Sequence, residues 1–128
     1  MENLRIFGAG VRASVVVDLI HWQFADRIVV EGYYDDRLPA GTNGPAGYPV
    51  LGTVVEGIEA VWRDGTAAFI ALGTLASARG CQVFLELRSR HVRVLKLVSP
   101  HAHVSPSAQI GENALIMPGV FIGSAKAR

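Results

Sequence analysis

Residues 98–127 read VSPHAH VSPSAQ IGENAL IMPGVF IGSAKA, and written in sixes they display a period. Each group opens on an aliphatic residue: Val98, Val104, Ile110, Ile116 and Ile122. Four residues after each of the first four stands a second inward-sized side chain, at Ala102, Ala108, Ala114 and Val120. Ser105-Pro106-Ser107, Gly111 and Pro118-Gly119 fill the corners between them. A strict period of six is the signature of a parallel β-helix built from hexapeptides. Each hexad makes one flat side of a triangular prism, and three complete a coil. The leading aliphatic residue fills the interior, where only a small partner fits beside it. Five hexads make one and two-thirds coils. In the fifth, the small-residue position holds Lys126. A charge pointed into the prism would be costly, so residues 124–128 are expected to have left the coil.

Working back toward the N-terminus, the periodicity changes. Leu4 to Phe7 is a short apolar run closed by Gly8-Ala9-Gly10. Ala13, Val16, Val17, Ile20 and Phe24 then share one helical face, at offsets an α-helix brings together. Ile28 to Tyr34, rich in β-branched and aromatic residues, predicts a second strand. Strand, helix and strand form a β-α-β unit, which implies a parallel sheet with helices packed on it. Residues 37–49 contain Pro39, Pro45 and Pro49 among three glycines and read as loop. After Val50-Leu51-Gly52, Thr53 with Glu56 three residues on predicts a capping box. The helix so started places Val54, Ile58, Val61 and Trp62 on one face and stops at Asp64-Gly65. Ala67 to Leu72 predicts a third strand. It ends at Gly73-Thr74, with Thr74 as N-cap of a helix from Leu75 to Arg88. Gly80 inside that helix costs about 1 kcal/mol against Ala, and Cys81 beside it reads as a small core residue. Val92, Val94 and Leu97 predict a fourth strand. The expected organisation is a small α/β domain over residues 1–97, followed by the start of a hexapeptide β-helix over residues 98–128.

Composition narrows the function classes. Of 128 residues, 50% are hydrophobic, which suits a packed core and argues against disorder. A formal charge of +1 gives no electrostatic basis for binding nucleic acid or an anionic membrane. The single cysteine permits no intrachain disulfide. A lone thiol fits a reducing compartment, so a cytoplasmic location is expected. No apolar run reaches the roughly 20 residues of a membrane span, and Met1-Glu2-Asn3-Leu4-Arg5 leads into a strand rather than a signal peptide.

The residues that could carry chemistry gather at strand ends. Gly8-Ala9-Gly10-Val11-Arg12-Ala13 fits G-x-G-x-x-A between a strand and a helix. Glycines there allow a tight turn and let backbone N–H groups and the helix N-terminus approach a phosphate. Asp35-Asp36, closing the second strand, lies where a ribose-binding acid is expected. The plain alternatives are a tight strand–helix turn and a solvated strand end. Arg12 either meets a diphosphate or sugar, or is an ordinary exposed arginine beside a helix N-terminus that disfavours cations. Gly73 repeats the strand-end glycine at the third strand. His101 and His103 lack a third ligand and fall on non-interior positions of the hexads, so they read as exposed turn residues rather than a zinc site.

Taken in order, five segments resemble a known family: Ile6-Phe7-Gly8-Ala9-Gly10, Tyr34-Asp35-Asp36, Gly47-Tyr48-Pro49-Val50-Leu51-Gly52, Ala71-Leu72-Gly73 and Pro100-His101-Ala102-His103-Val104-Ser105-Pro106-Ser107-Ala108. They are similar to the bacterial acetyltransferases that modify nucleotide-linked amino sugars and sialic acids in surface-glycan biosynthesis. The resemblance covers essentially the whole chain. It implies a Rossmann-like domain followed by a left-handed hexapeptide β-helix. It also implies that a nucleotide sugar, expected to be a UDP-amino sugar, is held at Gly8, Gly10, Val11, Arg12, Asp35, Asp36 and Gly73. Acetyl-CoA, the co-substrate, would bind between β-helices of a homotrimer, and a histidine of a later coil would deprotonate the attacking amine or hydroxyl. The chain departs from the family at Val11-Arg12, where Gly-His is usual. The catalytic histidine is expected beyond Arg128, and neither His101 nor His103 stands in its place. The chain thus resembles a truncated acetyltransferase polypeptide, expected to keep sugar-nucleotide binding and to be catalytically silent alone. A non-catalytic sugar-nucleotide-binding or regulatory module and an NAD-binding Rossmann protein remain as alternatives.

Overall fold

The computed structural model describes residues 1–73 and 78–123. The expectations for Thr74, Leu75 and Lys126 lie outside these residues. The chain begins with strand β1 (Glu2–Phe7), helix α1 (Val11–Gln23) and strand β2 (Ile28–Tyr34). A 3₁₀ turn at Pro45–Gly47 interrupts the following loop. Next come β3 (Val50–Gly52), α2 (Val54–Asp64), β4 (Ala67–Ile70) and α3 (Ala78–Ser89). Four two-residue strands finish the described chain: β5 (Leu97–Val98), β6 (His103–Val104), β7 (Leu115–Ile116) and β8 (Phe121–Ile122).

The first four strands form one parallel sheet in the order β3-β2-β1-β4. Side chains alternate across it, as the pleat requires. Leu4, Ile6, Ala67 and Phe69 enter a core under α1, with Ala13, Val16, Val17 and Ile20 facing them. Phe7, Ala68 and Ile70 enter a second core under α2 and α3, with Val54, Val61, Val83 and Leu87. A sheet covered on both faces explains why β4 reads as a continuous apolar run. This is the Rossmann-like arrangement.

Four local expectations are corrected. Val50–Gly52, too short to stand out as a strand by pattern, pairs with β2 and supplies the fourth strand of the sheet. Val92 to Leu97 does not. Val94 makes only an isolated bridge to Ala68, and Leu97 already belongs to β5. Local β-propensity could not settle this, because pairing depends on which edge a distant segment reaches. Trp62 is half-exposed rather than core, lying under the Arg90 guanidinium at 5.5 Å. Cys81 is exposed. The buried positions of α3 are Gly80, Val83 and Leu87, and Cys81 lies one residue, about 100°, off that stripe.

The hexads coil. Leu97 and Val98 pair in parallel with Leu115 and Ile116, and His103 and Val104 with Phe121 and Ile122, each 18 residues on. Three hexads therefore close one turn. Ser99 to Ala102, Ser105 to Ala108 and Met117 to Val120 are hydrogen-bonded corners at the expected spacing. Val98, Val104, Ile110, Ile116 and Ile122 are half-buried.

The coil is welded to the sheet. Leu95 and Leu97 are buried in the α1-side core, and Leu115 and Met117 pack against it. At the hexad corner that differs from the others, Asn113 takes a left-handed backbone, φ 62°, which asparagine tolerates better than most residues. Its N–H donates to Leu95 O at 3.0 Å. Its side-chain amide accepts from Ile70 N–H at 2.7 Å and donates to Ile70 O at 3.1 Å. A single side chain thus satisfies both backbone groups of Ile70 on the outer edge of β4, which would otherwise be left unpaired.

Candidate functional site

The chain passes from β1 out to β2 and β3, then returns through α2 to β4 on the other side of β1. Such a reversal opens a crevice at the carboxyl ends of the strands. A cleft of about 510 Å³ lies there. Gly8, Gly10, Val11, Arg12, Asp35, Asp36 and Gly73, expected from the sequence, all line it.

Each glycine has a different reason. Gly8 has φ +106°, and a Cβ there would lie 2.5 Å from Ala71 O, so this residue lets β1 and β4 close against each other. A Cβ at Gly10 meets nothing within 4 Å. Packing does not demand glycine there; its bareness leaves room in the cleft. Gly10 is also the N-cap of α1, with no side-chain cap bond and no acid in the first turn. The first internal helical bond runs from Ser14 N–H to Gly10 O, so the N–H groups before it face outward, as helix N-termini do.

The acidic pair is built into the scaffold. Asp35 is 4% exposed. One oxygen accepts from Ala9 N–H at 2.9 Å and the other from Arg37 N–H at 2.8 Å. Asp35 therefore braces the glycine turn from below. Asp36 accepts from Val54 N–H, at the start of α2, at 2.9 Å, and from Arg79 Nη2 at 2.8 Å. Tyr34, just before the pair, is fixed through Arg5, which also bonds Glu31 and Asp64. Burial pushes the Tyr34 phenol above its ordinary pKa, partly offset by the Arg5 bond. The bond from Arg5 holds the Asp64 carboxyl below its usual range.

Three arginines, Arg12, Arg37 and Arg79, line the same cleft. Arg37 and Arg79 were not legible as site residues, since neither belongs to a motif. Arg79 reaches the cleft from the first turn of α3, through its bond to Asp36. His101 and His103 are exposed on the coil, away from the cleft lining. Among the described residues, no group of three or more metal-ligating side chains forms, and no helix is long and apolar enough to cross a membrane.

The family described as "PglD N-terminal domain" matches residues 3–79. The chain belongs to the PglD N-terminal domain family. Among solved structures, this family member is similar to a mutant perosamine N-acetyltransferase from Caulobacter crescentus in complex with CoA and GDP-perosamine. The two share 25% identity with a TM-score of 0.78, over 97% of this chain and 55% of that one. It is also similar to the acetyltransferase domain of PglB from Neisseria gonorrhoeae in complex with acetyl coenzyme A. That match has 25% identity and a TM-score of 0.74, over 94% of this chain and 55% of that one. The chain spans about half the length of these solved relatives. A comparison with curated protein sequences returned no match.

Proposed function

We propose that this chain is the nucleotide-sugar-binding domain and first coils of an acetyl-CoA-dependent acetyltransferase acting on a nucleotide-linked amino sugar. The observation that carries the reading is the uncapped N-terminus of α1. It opens through Gly10 onto the cleft at the sheet's switch point, in a PglD N-terminal domain that continues into 18-residue coils. Outward N–H groups at a helix start favour a phosphate. The ligand's diphosphate would lie against the N–H groups of Val11 and Arg12, with the Arg12 guanidinium nearby. Asp35 would keep the turn open by holding Ala9. The complexes of the solved relatives with CoA, acetyl coenzyme A and GDP-perosamine support the choice of co-substrate and acceptor.

In this reading the acceptor amine attacks the thioester carbonyl of the donor, the C–N bond forms as the C–S bond breaks, and CoA leaves as the thiol with the proton the amine gives up. The domain binds and orients the acceptor, and the coil docked through Asn113 fixes the direction in which the sugar is presented. No residue of this chain is assigned as catalytic base. A homotrimer and a bacterial cytoplasmic setting belong to the same proposal. The expected UDP sugar and a GDP sugar are both to be tried, since the Caulobacter enzyme binds the latter. A thermal-shift series with UDP- and GDP-amino sugars, and with NAD, tests it. Ligand at a hundredfold above its Kd stabilises by about 2.7 kcal/mol, a shift of several degrees. Stabilisation by NAD alone would overturn the reading in favour of a dinucleotide-binding protein.

A further inference from the structure

We propose that Arg79 reads the diphosphate of the ligand, and that Asp36 is its positioning residue. The inference rests on the nucleotide reading above and assigns roles within that site. Both Asp36 oxygens are already engaged within the protein. One oxygen is committed to Val54 N–H and the other to Arg79 Nη2. The first bond ties the carboxylate to the N-terminus of α2, where a negative charge is stabilised. The second holds a guanidinium from α3, 43 residues along the chain, at the cleft it lines.

Among the three cleft arginines, Arg79 is the one held in place. The Arg37 side chain is 86% exposed, against 45% for Arg79. Its contact with Asp35 is long, at 4.0 Å. Arg12 projects from the exposed first turn of α1. A guanidinium oriented before the ligand arrives loses less freedom on binding. It carries five donors in a planar fork that matches phosphate oxygens, and the bond to Asp36 employs only one nitrogen. The Asp36 charge does not repel the ligand outright, since Arg79 and the α2 N-terminus neutralise it from both sides. Arg79 and the open helix start of α1 line the same cleft, and a diphosphate bound there would be met by N–H groups from both.

The test is calorimetric titration of the 128-residue chain and its Arg79→Ala, Arg79→Lys and Asp36→Asn variants with UDP, GDP and the matching monophosphates. The expected result is a loss of about tenfold or more for the diphosphates in Arg79→Ala, at an unchanged melting temperature, as suits one charge-assisted hydrogen bond. The loss is smaller for the monophosphates. Arg79→Lys recovers part of the affinity because it keeps the charge, and Asp36→Asn costs less than Arg79→Ala because the guanidinium remains. Diphosphate affinity in Arg79→Ala equal to that of the parent would overturn the proposal, as would equal losses for mono- and diphosphates. Failure of the parent chain to bind any of these nucleotides would instead sink the nucleotide reading itself.

Discussion

Gly8 and Gly10 stand two residues apart and are predicted to fail in different ways. Gly8→Ala puts a Cβ at φ +106° against Ala71 O, and should cost on the order of 2 kcal/mol or more in urea denaturation. Gly10→Ala meets no neighbour and should leave stability within about 0.5 kcal/mol. The same change should weaken nucleotide-sugar binding in calorimetry, because its methyl enters the cleft. If Gly10→Ala bound as tightly as the parent, the ligand would not lie on the helix start. Asp35→Ala leaves the Ala9 and Arg37 N–H groups without their acceptor, and should cost about 2 kcal/mol. Glu56 shows the sign of a pH effect. Its bond from Thr53 N–H holds its pKa below the ordinary 4.5. A carboxyl depressed in the folded state adds stability above its unfolded pKa and loses it as pH falls through the folded value. Urea midpoints should therefore favour the parent over Glu56→Gln at pH 7, and the difference should close as pH falls through and below the ordinary carboxyl range.

At the scale of elements, the edge of β4 decides how the sheet and the coil meet. β4 pairs with β1 on one side. Its other side is met in sequence by Arg93 and Leu95 at Ala68, and by the Asn113 amide at Ile70. Asn113→Ala removes both side-chain bonds and should cost about 2 kcal/mol, with faster hydrogen exchange at the Ile70 amide. Unchanged exchange at Ile70 would show that water replaces the clasp without loss. The consequence reaches the site, because Ile70 directly precedes Ala71, whose carbonyl crowds Gly8 and which lines the cleft.

For the whole molecule, the coil and the α/β unit share a core. Leu97, at the expected boundary between them, is fully buried with Leu95, and Leu115 and Met117 of the coil pack on the same cluster as α1. A chain ending at residue 97 would expose that cluster and lose the Asn113 bonds. Its melting temperature should fall by on the order of 10 °C or more relative to residues 1–128. An equal melting temperature would show that the α/β unit is stable without the coil's cover.

Period and punctuation carried the architecture. The six-residue repeat set the coil, because a prism wall admits one inward aliphatic residue per side. Apolar runs separated by a glycine turn and by the Thr53–Glu56 box set the β-α-β order, because those local rules act within a few residues. The same locality placed all seven expected residues on one cleft, since strand ends in a parallel sheet meet at one edge. What the sequence could not fix depends on distance. Val50–Gly52 became the fourth strand, and Val92 to Leu97 did not, because edge pairing is settled by what else docks there. Arg79 joined the cleft, Asp35 turned inward as a brace, and Asn113 became the clasp only through partners 26 to 43 residues away. A side chain's role at such range is set by where the folded backbone brings it, and no local pattern records that position. The opening hexads thus determined that a coil forms, while the edge of β4 decided where it sits.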